Sequence, residues 1–183
     1  MAQRWDIHEF DEVESTNKIV KSAIAEGASA GFVAIAKSQT CGYGMRGHEW
    51  ISPLGGLYMS CLFDCNMSHE ELPQLPKILA EKLLPVLNLY TAEELTIKEP
   101  NDIVFKKRTG NFFHKLAGIS TEVYRGKICV GIGVNVYPPE QEIKIRSGNN
   151  LIAYLSDLTD GSVELDDLRD CILEAWGSLI NYF

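Results

Sequence analysis

The 183-residue sequence lacks a basic excess: 17 lysines and arginines face 25 aspartates and glutamates, for a formal net charge of −8 and a pI near 5.0. The acids are scattered and no basic stripe accompanies them, which excludes a phosphate-backbone partner such as nucleic acid. Long apolar runs are missing as well. No stretch approaches the roughly 20 residues that a membrane span needs, and the opening Met-Ala-Gln-Arg-Trp-Asp has no apolar signal core. These absences predict a chain that stays in the cytoplasm and has no membrane partner. Cysteine spacing gives no framework either: Cys41, Cys61, Cys65, Cys129 and Cys171 are odd in number, hold no Cys-x-x-Cys pair and complete no zinc set, so they read as reduced thiols. Cys61, Cys65 and His69 fall four apart, but on a strand and its exit, where buried filler and a surface histidine are the plainer reading. His8, His48, His69 and His114 have no serine or cysteine that the sequence places beside them, so a hydrolase triad has no support.

With 45% apolar residues there is material for one continuous core, and no repeat or linker divides it. A helix is predicted from Ser15 to about Glu26, with Ile19, Val20, Ala23 and Ile24 on one face and Gly27 at its end. Gly31–Ser38 reads as a buried strand, and Leu57–Phe63 alternates like another. Ser68 and Glu71 spell a capping box before a helix over Leu75–Leu89, in which Pro73, Pro76 and Pro85 disturb the start and the axis. Strand chemistry resumes at Leu95, breaks at Glu99–Asp102 and continues through Ile103-Val-Phe105 to a polar loop at Arg108–Asn111. Leu116–Tyr124 and Lys127–Val136 form a hairpin about Arg125-Gly126. The tail from Val163 is amphipathic, with Leu165, Leu168, Ile172, Leu173, Trp176 and Ile180 at helical spacing and Ser162 as its cap. The sum is an α+β domain in which helices cover one face of a mixed, mostly antiparallel sheet.

Along Lys127–Val136 the two-residue period sends Ile128, Val130, Ile132 and Val134 one way and Cys129, Gly131, Gly133 and Asn135 the other. Glycine weakens a strand, so a face carrying Gly131 and Gly133, with Gly118 in the partner strand, suggests that something approaches the backbone closely. Tight helix packing or a bulge is the alternative. Gly42-x-Gly44-x-x-Gly47 superficially matches a dinucleotide fingerprint, yet it runs through Trp50 and Pro53 into a strand rather than opening a helix. What remains is a loop with free amides, one arginine and a tryptophan, suited to cover an anion and a flat ring. Lys98 and Lys115 flank the Pro100-Asn-Asp102 turn and the hairpin start, where either offers a cation to a phosphate or carboxylate.

Five blocks occur in order: Glu14-Ser-Thr-Asn17; the Gln39–Trp50 loop with Ser52-Pro-Leu-Gly-Gly-Leu-Tyr58; Lys98-Glu-Pro-Asn-Asp102; Lys115-Leu-Ala-Gly-Ile119; and Val130-Gly-Ile-Gly-Val-Asn135. Together they resemble the catalytic domain of biotin protein ligases, over nearly the whole chain. The resemblance implies a class II aminoacyl-tRNA synthetase/biotin synthetase-like fold and one catalytic domain over residues 1–183, without an N-terminal helix-turn-helix or a C-terminal β-domain. It implies an ATP-dependent ligase that joins biotin to AMP, with Mg2+ accompanying the ATP, and passes biotin to a lysine of a biotin carboxyl carrier domain; a homodimer is the candidate assembly. By that resemblance Ser15, Thr16, Asn17 and Gln39 bind the acid's ring, with Gly42, Gly118 and Gly131 as close-fitting backbone. Lys115 holds the carboxylate and α-phosphate, Trp50, Gly133 and Asn135 border the nucleotide, and Asn101 and Asp102 lie near the phosphates and the incoming lysine. The family loop runs Gly-Arg-Gly-Arg-x-Gly-Arg-x-Trp, whereas its arginine positions here are Tyr43, Met45 and His48, leaving Arg46 as the loop's one catalytic cation. Glu99 also sets a negative charge where the family pattern has an indole. These departures imply a weak or leaky ligase; the alternative is a noncatalytic relative that binds a biotin-, lipoate- or other acyl-type ligand.

Overall fold

A computed structural model describes residues 5–106, 112–140, 151–177 and 179. The face read from Val20, Ala23 and Ile24 forms α1 (Thr16–Ala25), with Ser15 extended at its N-cap and Gly27 at φ 91° just beyond its end. Before it lies a strand that the sequence reading does not find, β1 (Asp6–Val13), mostly exposed and rich in acids. The next two strands are β2 (Phe32–Gln39) and β3 (Leu57–Asp64). The reciprocal half of the Ser68/Glu71 box is present, since Ser68 N donates to Glu71 Oε2 at 2.8 Å. It precedes a short 3-10 turn, Leu72–Gln74, which leads into α2 (Leu75–Asn88). Pro76 sits in the first turn of α2, where no N–H is required, and Pro85 is retained inside the helix.

The second half of the chain supplies β4 (Thr96–Lys98), β5 (Asp102–Lys106), β6 (Phe113–Tyr124), β7 (Lys127–Val134), β8 (Leu151–Ile152) and α3 (Leu165–Gly177). The β6–β7 hairpin turns at Arg125 and Gly126, both at positive φ (49° and 74°), as a two-residue turn of matching twist requires. Ser162 does not cap α3, which begins three residues later; Leu168 N donates to the Glu164 carbonyl at 3.0 Å. The expected loop at Arg108–Asn111 and the Ile180 position lie outside the described residues.

Strand order is β1-β2-β3-β7-β6-β5-β4, with β8 beside β6. Among the described residues β1–β2 and β6–β8 pair in parallel and the other five pairings are antiparallel, so the sheet is mixed and mostly antiparallel. The helices, however, take both faces. On one side Met59, Cys61, Phe63, Val130 and Ile132 meet α2, and α3 packs outside α2 with Trp176 Nε1 donating to Leu79 O at 3.3 Å. On the other, α1 lays Val20 and Ile24 against Ala34, Leu62 and Cys129. Covered on both sides, Leu57–Phe63 is buried throughout, so its alternation separates two interiors rather than core from water. Burial, with Cys129 nearby, pushes the Cys61 thiol well up, which leaves it an inert core residue.

Candidate functional site

α1 covers only one end of its face of the sheet, and the strands' small residues form the floor of a cavity beside it. Antiparallel register lines up Ala34, Ser60, Gly131 and Ser120 in one row across β2, β3, β7 and β6. The next row is Ala36, Tyr58, Gly133, Gly118, Asp102 and Lys98, reaching β5 and β4. Residues directly opposite in a ladder share a face, so two shallow tracks run across the sheet. The cavity above them has a volume of about 590 Å³, within the usual range for small-molecule sites.

At the α1 end the polar side chains satisfy one another. Gln39 Oε1 accepts from Thr16 N (2.8 Å) and Thr16 Oγ1 (3.2 Å), and Gln39 Nε2 donates to Ser52 Oγ at 2.7 Å. The fully buried Ser60 hydroxyl lies 2.7 Å from both Thr16 Oγ1 and Asn17 Oδ1. Asn17 Nδ2 donates to Ser120 Oγ at 3.1 Å. Such a network holds Thr16, Asn17 and Gln39 in fixed orientations at the cavity wall. Ser15 is buried at the N-cap and Gly42 is enclosed by Trp50 O, Ser52 Oγ and Gln39 Nε2; neither lines the cavity.

At the opposite end Lys115 Nζ lies 2.7 Å from Asp102 Oδ1, with only 11% and 17% of the two side chains exposed. Simple alternation from Gly118 would send Lys115 into the α2-side core. The β5–β6 register shifts between Ile103 and Val104, so that Leu116 is the extra residue of a bulge and Lys115 turns to the cavity. Asn101 Nδ2 donates to Ile119 O at 2.8 Å and Asn135 Nδ2 to Lys115 O at 3.2 Å, pinning the lysine's strand. Lys98 also reaches the cavity wall.

The bare glycines receive the protein's own side chains. A Cβ on Gly131 would collide with Asn17 Oδ1 and stand 2.6 Å from Ser120 Oγ; one on Gly133 would strike the Trp50 indole. Trp50 also comes within 2.8 Å of a Cβ on Gly118, and Lys115 Nζ lies 4.9 Å from its ring centroid. Among the described residues, Trp50 Nε1 is buried without a partner, at a cost on the order of 1–3 kcal/mol for an unmet donor. Glu99 does not intrude. It faces α2, where Lys77 Nζ donates to its Oε1 at 2.6 Å, and it does not line the cavity, so the negative charge anticipated there is absent.

Sequence reasoning missed Ser60 and Ser120. A serine inside the apolar run Leu57–Phe63 was a readable sign of a buried hydrogen bond, whereas Ser120 reaches the floor through the β6–β7 register.

The cavity therefore has a neutral, saturated floor at one end and a shielded ion pair at the other. Similarity to known proteins supplies the family. The Biotin/lipoate A/B protein ligase family matches over residues 9–137, and the chain belongs to that family. It is 30% identical over 130 residues to the bifunctional ligase/repressor BirA of Escherichia coli (strain K12), covering 68% of this chain and 38% of that protein. It is 26% identical over 160 residues to the biotin--[acetyl-CoA-carboxylase] ligase of Paracoccus denitrificans, covering 84% and 64%. The structure of the Aquifex aeolicus biotin protein ligase in complex with biotin and ATP superposes with a TM-score of 0.80 at 27% identity, covering 97% of this chain and 71% of that one. The chain thus spans well under half the length of the Escherichia coli relative.

Proposed function

We propose that this domain is a biotin protein ligase: it condenses biotin with ATP to biotinyl-AMP and pyrophosphate, then passes the acyl group to a lysine of a biotin carboxyl carrier domain. The observation that carries the reading is the division of one cavity into a neutral hydrogen-bonding end and a buried cation. A ring with N–H and C=O groups suits Thr16, Asn17 and Gln39, which can exchange partners within their network without charge. Ser15, buried behind them, orders the start of α1, and Gly42 lets the loop backbone close on Gln39.

A carboxylate attacks phosphorus only when the two anions are brought together and their repulsion is offset. Lys115 is placed for this, bridging the acid's carboxylate and the α-phosphate, with Asp102 holding its ammonium in position and Asn135 fixing its backbone. Trp50 borders the adenine with Gly133, where a nucleotide acceptor gives its Nε1–H a partner. Asp102, with Asn101 beside it, would hold a magnesium ion carried on the triphosphate, which would offset the phosphate charge there; such an ion asks the protein for only one or two carboxylates. In transfer, the carrier amine enters beside Asp102, attacks the acyl carbon and expels AMP. We place the protein in the cytoplasm with a carrier protein as partner and a homodimer as candidate assembly; among the described residues, no helix is long and apolar enough to cross a membrane.

The second reading, an acyl-binding relative without catalysis, draws on Tyr43, Met45 and His48 at the loop's arginine positions. Two measurements separate them. Biotin at one hundred times its dissociation constant should stabilise the fold by about 2.7 kcal/mol, and biotin with Mg-ATP should release pyrophosphate. A thermal shift without pyrophosphate supports the second reading; a shift with lipoate but none with biotin reassigns the substrate.

A further inference from the structure

The tip of the glycine-rich loop, residues 43–49, is folded on itself. Gly44 N donates to His48 O at 2.8 Å, His48 N donates to Met45 O at 3.2 Å, and Tyr43 and Glu49 form an antiparallel bridge. Arg46 and Gly47, at φ 59° and 72°, close the turn. Tyr43 OH joins this tip to the body of the protein by donating to Glu122 Oε1 at 2.8 Å. Glu122 projects from β6, and Lys21 of α1 places its Nζ 2.9 Å from Glu122 Oε2 and 5.3 Å from the Tyr43 ring centroid. Asn17 Nδ2 reaches Glu122 Oε1, the oxygen that also accepts from Tyr43, at 3.4 Å. Lys21 and Glu122 are only 25% and 34% exposed in their side chains, and neither lines the cavity.

A hydroxyl donating to an ionised carboxylate makes a stronger bond than one between neutral groups, and partial burial reduces its screening. A carboxylate so placed without a cation would be costly, and Lys21 answers that need from α1, whose Val20 and Ile24 are packed on the sheet. Burial pushes the Tyr43 phenol up, with Glu122 assisting and Lys21 opposing, so it remains a donor at neutral pH. Burial works against the Lys21 charge, but Tyr43 and Glu122 outweigh it and the net shift is upward. The Tyr43 phenol and the Lys21 ammonium therefore both keep the proton that the contact needs across the physiological range.

We propose that Lys21 and Glu122 are positioning residues that latch the loop over the acid-binding end of the cavity through Tyr43, so that this end of the loop is held by the protein's own charges before any ligand binds. Only its ligand-release consequence rests on the reading given above. Because Glu122 also takes a bond from Asn17, loop position and floor geometry are joined at one carboxylate.

The test is native-state cleavage by trypsin after Arg46, followed by mass spectrometry in the ligand-free protein, with cleavage after Arg125 in the β6–β7 turn as internal reference. Tyr43→Phe and Lys21→Met should each speed cleavage after Arg46 about tenfold, the effect of roughly 1.4 kcal/mol on loop opening. Their combination should be no faster than the faster single variant, Lys21→Arg should restore the wild-type rate, and cleavage after Arg125 should not change. Unchanged cleavage after Arg46 in Tyr43→Phe, multiplying effects in the double variant, or a parallel rise at Arg125 would each overturn the latch. In wild-type protein that binds biotin, Tyr43→Phe should also raise the biotin dissociation rate by a similar factor, and an unchanged rate counts against the latch. A wild type that binds no biotin defeats the proposed function instead, while the cleavage pattern still decides the latch.

Discussion

At the α1 end of the cavity, Thr16, Asn17, Gln39, Ser60 and Ser120 all have protein partners; at the β5 end, Trp50 Nε1 has none among the described residues, and Lys115 pairs with Asp102. The first group stands on a helix and three strands. Much of the second rides on the loop, where Met45, Arg46 and His48 line the cavity without an ion pair among the described residues. A satisfied, rigid end recognises a ligand with little reorganisation, whereas an incomplete end must be finished by the ligand itself. The difference predicts separable failures: changes at the α1 end should cost affinity for the acid, and changes at the β5 end should cost chemistry or retention of the product.

The largest effect should come from Lys115→Ala. It removes the shielded cation and leaves Asp102 facing the phosphates, so biotin-dependent pyrophosphate release should fall by about 10³-fold or more. Binding of biotin alone, read by calorimetry, should fall far less. Equal losses in the two measurements would erase the distinction between the ends.

Gly131→Ala should show the reverse. Its Cβ would collide with Asn17 Oδ1 and crowd Ser120 Oγ, both held in the floor network, so neither can yield cheaply. Overpacking of this kind costs about 1–3 kcal/mol, which predicts biotin affinity weaker by on the order of ten- to a hundredfold, while activity at saturating biotin suffers less. Unchanged affinity would mean that the floor is more pliant than its hydrogen bonds suggest.

How each end could be read from sequence follows from how it is built. Gly131 and Gly133 were legible because a two-residue period places glycines on one face of an otherwise apolar strand. What fills them was not, since Asn17 and Trp50 arrive from other elements. Lys115 was a candidate by residue type, but its direction depends on the bulge at Leu116, which no periodicity reveals. β1 escaped detection because an exposed edge strand bearing Asp6, Glu9, Asp11 and Glu12 carries no apolar alternation. The placement of α1 opposite α2 likewise rests on chain order in the sheet, because a fully buried strand such as β3 shows the same residues whichever face receives which helix.

Met45→Arg should sharpen the contrast from the loop side. Tyr43 ties the acid-end side of the loop to Glu122, but Met45 gives its other side no charge with which to hold a phosphate. A charge-assisted bond there is worth about 1.5–3 kcal/mol, so the substitution should slow escape of the acyl-adenylate by roughly ten- to a hundredfold. Incubated with biotin, Mg-ATP and albumin and blotted with streptavidin, the wild type should label albumin as well as a carrier, and Met45→Arg should confine the label to the carrier. Arg46→Ala should change the pattern less, because Arg46 is exposed and held at positive φ at the turn's apex. A loss as large as that of Lys115→Ala would instead make Arg46 the loop's phosphate contact.

Glu99→Gln should have the smallest effect, and it tests where the β5 end stops. The resemblance sets an indole at this position, so a carboxylate there raises the prospect of a negative charge working against the phosphates. Its side chain instead runs outward to Lys77 on α2, and the two groups are 66% and 46% exposed. Exposed pairs of this kind are screened by solvent and contribute little, so the melting temperature should hardly change. The neighbouring Pro100, Asn101 and Asp102 line the cavity, but Glu99 does not. Neutralising it should therefore leave the rate of pyrophosphate release and its ATP dependence within about twofold of wild type, well below the tenfold that 1.4 kcal/mol would produce. A clear gain in rate, or a lower KM for ATP, would show that its field reaches the phosphates despite Lys77. The β5 end would then extend past Asp102 onto the α2 side of the sheet.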